Sequence, residues 1–382
     1  MIKLEDYGIQ MWKTEKIADF RTKLLAWYDE NKRDLPWRRT NDPYKIWVSE
    51  IMLQQTRVDT VIPYYERFLD WFPTVTDLAL AQEDTLLKAW EGLGYYSRVR
   101  NMQTAAQQVM ADFDGDFPNT YKEIASLKGI GPYTAGAISS IAFNLPEPAV
   151  DGNVMRVLAR LFEVNLDIGI ASNRKVFQKM MEILIDPDRP GDFNQALMDL
   201  GSDIEAPVNP RPEDSPVREF SAAYQHGTMD IYPIKAPKKK PTPLNFEAFL
   251  IRNEKNEFLL EKKDSTGLLS GFWSFPLLRS DRKSDFKGQV SESEDLSNQR
   301  YIFESSYLTG IEWEAQGFSP VIHIFSHQKW TIQMNEGIVK GNANVDLENC
   351  RWVAISDFAS YPFAKPQQKM WETYLKEKQY KK

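Results

Sequence analysis

Glu50 stands in "KIWVSEIML", among Ile46, Trp47, Ile51 and Leu53. An apolar surround disfavours the ionised carboxylate, raises its pKa and suits it to donate a proton. The other reading of the same residue is a solvated helix glutamate held in an ion pair. Asp151, in "VDGNVMR", stands just ahead of a helical pattern. There it can cap the helix, and the positive end of the helix dipole keeps a carboxylate ionised. A cap and a chemical role are compatible at that position. Between the two, residues 127–139 read "LKGIGPYTAGAIS". Gly129 and Gly131 permit a tight hairpin, and Pro132 suits the first turn of the next helix. Backbone N–H groups at such a turn point one way and form an anion nest, the kind of site that takes a phosphate. An ordinary glycine-rich connection between helices would have the same residues.

The elements that must position these residues are mostly helices. Apolar spacing of three and four runs through "KIADFRTKLLAWYDEN", "DPYKIWVSEIMLQQT", "SRVRNMQTAAQQVMADF", "NVMRVLARLF" and "DFNQALMDLG". Thr120 and Glu123 have capping-box spacing. This helical character spans residues 1–224. Residues 225–243, containing "IYPIKAPKKKPTP", read as an extended linker. From there to residue 382 the runs are strand-like: "FEAFLIRN", "EFLLEKK", "SPVIHIFSH", "KWTIQMNEG" and "CRWVAIS". The expected architecture is an all-α region followed by a small α+β domain. "LSNQRYIFESSYL" is expected to form a helix, and "SDRKSDFKGQVSESEDLS" a mobile loop.

The totals narrow the function class. The chain has 382 residues, 42% of them hydrophobic, and 11 tryptophans, which suits globular domains with cores rather than disorder. One cysteine, Cys350, excludes an internal disulfide and any cysteine-built metal site, and three histidines make a histidine site a poor expectation. The opening residues carry no apolar secretory pattern, and no apolar run approaches a membrane span, so a cytoplasmic, nucleoid-associated protein of bacterial type is expected. A formal net charge of −7 does not advertise a nucleic-acid binder. Local backbone N–H groups and one basic face can still hold phosphate while the rest stays acidic.

The hairpin with an aspartate about twenty residues further on resembles the helix–hairpin–helix DNA glycosylase superfamily. "LPWR", "DPYKIWVSEIMLQQTRV", "GLGYYSRVRN", "GIGPYTAGAI", "VDGNVMRVLAR" and "FNQALMDLG", in that order and spacing, resemble the MutY family of adenine DNA glycosylases across residues 30–224. The resemblance implies a six-helix barrel part with a second lobe, and base-excision repair in which adenine paired with 8-oxoguanine, or guanine, is cut from double-stranded DNA. The enzyme is expected to act as a monomer. By resemblance, Glu50 protonates adenine N7 and later helps activate water, Asp151 stabilises or traps the oxocarbenium-like sugar, and Asn153 helps position the site. Two carboxylates in opposite environments suit such a reaction. In related glycosylase/lyases a lysine stands at the place of Tyr133 and attacks the sugar as an amine. A phenol cannot form an imine, so a monofunctional enzyme that leaves an abasic site is expected. Gln55, Thr56, Leu93 and Tyr95 match positions that wedge into the duplex as the base is extruded; core packing is the other reading of Leu93 and Tyr95. Gln195 matches a contact to the flipped adenine, and Trp37 and Arg38 are expected at the pocket mouth.

The C-terminal part resembles the Nudix-like domain of the same family. The generic Nudix box is absent; the expected helix carries only Glu304, too few carboxylates for a magnesium diphosphatase. By resemblance, Phe325, Ser326 and His327 read 8-oxoguanine, since a serine hydroxyl both donates and accepts; a capped strand end is the alternative. In most of the family four cysteines after "MDLG" hold an iron–sulfur cluster. Their places here are Glu205, Pro212, Ser215 and Ser221, none with a thiolate. The resemblance is therefore to a branch without the cluster, and no cofactor is expected. Prolines and local packing are expected to stabilise the segment in place of the metal. Two other functions fit the fold: a glycosylase/lyase for another damaged base, and a non-catalytic lesion-binding protein.

Overall fold

A computed structural model describes residues 2–237, 240–263, 267–280, 300, 303, 310–314, 317–340 and 349–379. These form two compact units, one of residues 1–81 with 97–237 and one of residues 82–96 with 238–382. Most of "LSNQRYIFESSYL", including Glu304, and all of "SDRKSDFKGQVSESEDLS" except Ser280 lie outside the described residues.

The first unit is helical. Its core gathers Phe20, Leu24 and Tyr28 of helix Thr14–Asn31, Val157 and Leu158 of Gly152–Phe162, Phe177 and Met181 of Arg174–Leu184, and Phe193 and Leu197 of Pro190–Asp199. Helix Pro43–Leu53 buries every residue from Ile46 to Met52, so it is packed on all sides rather than along one stripe. Asp42 caps it, its carboxylate accepting from the N–H of Tyr44 at 2.9 Å, and Pro43 takes the first turn. The hairpin joins helices Tyr121–Ser126 and Pro132–Phe143. Thr120 starts the first of these as its spacing requires, accepting from the Glu123 N–H and donating to Glu123 Oε2 at 2.7 Å. Gly129 takes φ of 79°; the left-handed region is open to glycine without penalty, and a Cβ here would also stand 2.7 Å from Asn101 Cβ. Gly136 lets helix Pro132–Phe143 approach the segment leading to Asp151, because a Cβ would fall 2.0 Å from the Pro148 carbonyl oxygen.

Residues read in the sequence as linker pack onto this unit. The Ile168 N–H donates to the Ile234 carbonyl at 3.0 Å, and Arg160 Nε donates to the Tyr232 carbonyl at 3.0 Å. Those bonds fix residues 231–236 more closely than their proline and lysine content suggests.

The second unit is α+β. Its mixed sheet has, among the described residues, strands β1 (Thr242–Arg252), β2 (Phe258–Lys262), β3 (Trp273–Ser274), β4 (Leu277–Arg279), β5 (Ile311–Trp313), β6 (Val321–Ile324), β7 (Gln328–Val339) and β8 (Cys350–Val353). The order β3-β2-β1-β7-β5 has β1 and β7 parallel in the centre, with β4, β6 and β8 pairing β1, β7 and β2 antiparallel. Phe249, Ile251, Leu259, Phe303 and Val339 fill one core. Phe258, Phe275, Phe358 and Trp371 cluster with Tyr374 of helix Lys365–Gln379. Helix Glu83–Ala89 belongs to this unit. Glu91 accepts from the Phe363 N–H at 3.1 Å and from Gln368 Nε2 at 2.8 Å. Lys88 donates to the Tyr361 carbonyl at 3.1 Å, and Asp84 pairs with Lys262 at 2.7 Å.

Candidate active site

Glu50 lies on the fully packed helix Pro43–Leu53 and is 6% exposed. Tyr133, at the start of the second hairpin helix, donates its hydroxyl to Glu50 Oε2 at 2.7 Å, with Met198 Sδ 3.7 Å beyond. Burial pushes the Glu50 carboxyl up to about 7; the Tyr133 hydrogen bond and the Arg38 charge oppose this, and the negative charge of Asp151 adds to it. Burial, with the charges of Glu50 and Asp151, holds the Tyr133 phenol well above its ordinary value, so it remains a neutral donor. The alternative of a solvated, ion-paired Glu50 is thereby excluded. Glu50, Tyr133 and Asp151 act on one another electrostatically, although two of them come from helices and the third from a cap far along the chain.

Asp151 caps helix Gly152–Phe162. Its Oδ1 accepts from the Val154 N–H at 2.7 Å and its Oδ2 from Asn153 Nδ2 at 2.9 Å. Asn153 Oδ1 in turn accepts from Arg156 Nη2 at 2.7 Å. The helix end was expected to keep this carboxyl ionised. Its hydrogen bonds and the Arg156 charge do pull the pKa down, but burial is the larger effect and the net direction is upward. Close approach helps hold the arrangement: a Cβ on Gly201 would stand 2.8 Å from Asn153 Cβ.

A third cluster surrounds Arg38. Its Nη1 and Nη2 fork onto Asp199 at 2.7 and 3.0 Å, and its Nε donates to Gln195 Oε1 at 3.0 Å. A cavity of about 500 Å³ is lined by Tyr28, Arg33, Arg38, Ser140, Arg189 and Gln195 among others. Glu50 and Asp151 are not in that lining; Arg38 is common to the cavity and to the electrostatics of Glu50. Trp37, expected beside Arg38 at the mouth, is instead buried against Tyr65, ring centroids 5.4 Å apart.

The remaining sequence candidates are placed as follows. Gln55 is exposed with φ of 64°, directly after the Glu50 helix, and the Thr56 N–H donates to the Leu53 carbonyl. At the hairpin, Gly129 makes the turn and Gly131 is the N-cap of helix Pro132–Phe143. Leu93 and Tyr95 lie in the second unit; Leu93 is buried, whereas Tyr95 is exposed with φ of 48°. Phe325, Ser326 and His327 form the tip of the β6–β7 hairpin, closed by the Phe325 N–H on the Gln328 carbonyl at 2.7 Å. Phe325 packs edge-on against His323 and Trp330. Ser326 and His327 are exposed, Oγ and Nδ1 3.2 Å apart.

The four places of the family's cluster do not suit iron–sulfur ligation. Glu205, buried, pairs with Arg160 at 2.7 Å, and its carbonyl accepts from both Arg156 and Arg160. Ser221 caps the short helix Ala222–His226 and donates to the Arg160 carbonyl. Ser215 is buried, and Pro212 offers no donor atom. Among the described residues no group of three or more His, Cys, Asp or Glu is placed to hold a metal ion. No helix there is long and apolar enough to cross a membrane.

Sequence reasoning missed Asp199, Arg33, Arg156 and Asn194. Asp199 had a signal: it lies four residues after Gln195 and so on the same helix face. Asn194 is fully buried and bridges Ser140 Oγ, the Glu147 carbonyl and the Ala149 N–H; nothing in its spacing marks it.

Residues 48–184 match the family described as HhH-GPD superfamily base excision DNA repair protein, and residues 247–373 match the NUDIX domain family. The adenine DNA glycosylase of Arabidopsis thaliana is 40% identical over 357 residues, 82% of this chain; the chain spans 56% of that relative's length. The adenine DNA glycosylase of Rattus norvegicus is 33% identical over 412 residues, 94% of this chain and 78% of that one. The solved structure of a thermostable thymine-DNA glycosylase is 28% identical, with a TM-score of 0.50 over 56% of this chain and 98% of that chain. With a helix–hairpin–helix region, a Nudix-like region and relatives of this identity across most of its length, the chain belongs to the adenine DNA glycosylase family of base-excision repair proteins.

Proposed function

We propose that this protein is a monofunctional glycosylase that hydrolyses the N-glycosidic bond of adenine paired with 8-oxoguanine, or guanine, in duplex DNA. The observation that carries the reading is the buried Glu50 carboxyl, raised to about 7 and held by the Tyr133 hydroxyl. A group with that pKa is about half protonated at neutral pH, whereas an ordinary glutamate is almost wholly ionised, and it can give its proton to N7 of an extruded adenine. The glycosidic electron pair then leaves with the base. The sugar becomes cationic, and Asp151, held by two hydrogen bonds, supplies the negative charge that stabilises it. Glu50, now ionised, takes a proton from the water that attacks the sugar, which returns it to its acid form. Tyr133 in place of an amine leaves no nucleophile for an imine, so the product is an abasic site.

In this reading the anion nest at Gly129–Gly131 holds a backbone phosphate, Gln55 and Thr56 occupy the space the extruded base vacates, and Gln195 and Arg38 face the base. The exposed Ser326 and His327, on the hairpin tip closed by Phe325 and Gln328, read the opposite strand. The enzyme works as a monomer, in the compartment that holds the DNA, and without an iron–sulfur cluster. The residues at the four family positions support the last point, since none offers a thiolate.

Single-turnover release of adenine from duplexes with 8-oxoguanine, guanine or thymine opposite the adenine tests the proposal. Fastest release opposite 8-oxoguanine, with strand cleavage only after alkali, is the expected result. Cleavage without alkali, or covalent trapping by borohydride, would overturn the monofunctional assignment. Stoichiometric iron in freshly purified protein would overturn the cluster-less one.

A further inference from the structure

Asp199 ends helix Pro190–Asp199 and is 2% exposed. Its carboxylate carries two guanidinium groups. Arg38 forks onto both oxygens at 2.7 and 3.0 Å, and Arg33 Nη2 donates to Oδ1. A guanidinium has only donors. The amide atom of Gln195 that meets Arg38 Nε must therefore be its oxygen, as the 3.0 Å contact requires. That leaves Gln195 Nε2, 3.4 Å from the Gly191 carbonyl, as the atom available to anything else. The hydrogen bonds diverge from Arg38, which donates on one side to the Gln195 oxygen and on the other to both oxygens of Asp199.

Charge follows the same path. Glu50 is faced by Tyr133 from the hairpin helix, Asp151 from the cap of helix Gly152–Phe162, and Arg38 from the turn Pro36–Arg38. Arg38 is itself 12% exposed at the side chain and lies over Tyr28, 5.6 Å from the ring centroid, with Asp192 and Arg189 acting on the same tyrosine. Two cations share one buried anion here, so removing Asp199 takes from the largely buried Arg38 its nearest counter-charge, whereas removing Arg33 gives Arg38 the whole of it.

We propose that Asp199 is the positioning residue of the base pocket: it fixes Arg38 so that Gln195 offers only N–H donors, to a purine edge bearing a ring-nitrogen acceptor, and shields Glu50 from the Arg38 charge. The proposal rests on the adenine-release reading above. Its test is single-turnover adenine release against pH, on a duplex with adenine opposite 8-oxoguanine, for wild type, Asp199→Asn and Arg33→Met. Asp199→Asn should slow the maximal rate about tenfold through the displaced Arg38 fork and move the alkaline limb of the profile to lower pH. Arg33→Met should move that limb to higher pH. Opposite displacements are not the signature of a general packing defect. If Asp199→Asn does not fold, Arg33→Met alone decides, since an unmoved limb there overturns the proposal. Limbs that stay in place, or move together, overturn it while adenine release stands. A wild type inactive at every pH overturns the parent reading and this one with it.

Discussion

Replacing Glu50 with glutamine should kill the chemistry and stabilise the fold, but only at alkaline pH. The folded carboxyl sits at about 7 against an ordinary 4.5. A raised folded value means that the native state binds the proton more tightly than the unfolded chain, so stability is lost as pH rises from 4.5 through 7. At about 1.4 kcal/mol per unit the loss is on the order of 3 kcal/mol at pH 8 and below about 1 kcal/mol at pH 5. Glutamine has the same shape and no charge, and its oxygen can still accept from Tyr133. Its amide puts two N–H donors where the neutral acid has a single O–H, which costs about 1 kcal/mol. The expected net change is near zero at pH 5 and a gain of about 2 kcal/mol at pH 8. For a unit of this size that gain is about 4–8 °C in Tm. Thermal unfolding of wild type and Glu50→Gln at both pH values, alongside adenine release, makes the comparison. An equal offset at pH 5 and pH 8 would refute the claim that Glu50 is an unfavourably buried acid, and undiminished adenine release would remove it from the mechanism.

Two further substitutions probe the surroundings. Tyr133→Phe removes a hydrogen bond that favours ionised Glu50, so the alkaline limb of the rate profile should move up by about one pH unit; a limb that moves down would show that the hydroxyl serves the neutral acid instead. Glu205→Ala leaves Arg160 buried without its counter-charge and should destabilise the first unit by about 3–5 kcal/mol in urea unfolding. A loss below about 1 kcal/mol would show that the packing of Val217 and Phe220, not the ion pair, holds that segment.

The helices around Glu50 and Asp151 were legible because each carries its own period and its own start signal: Pro43, Thr120, Pro132 and Asp151 itself. The strands of the second unit were legible from β-branched and aromatic runs between turns. The burial of Trp37 was not, since a tryptophan beside an arginine reads equally as core or as pocket wall. The upward direction at Asp151 was also hidden. The cap predicts hydrogen bonds, and those are present, but how far a carboxylate is withdrawn from water is decided by packing from distant parts of the chain. The Glu205–Arg160 pair shows the same limit. Proline content explains a restricted loop, whereas the partner of a buried glutamate lies 45 residues away with no local mark.

Residues 82–96 are made long before their partners Tyr361, Phe363 and Gln368. As the polypeptide emerges from the ribosome, the Glu91 carboxylate has Lys88 within reach, 2.6 Å away in the folded unit, and water in place of those groups until they are made. A fragment ended after residue 237 would carry this strap without Lys262, Tyr361, Phe363 and Gln368. The sequence border between the two halves is therefore not a seam along which the molecule can be cut cleanly.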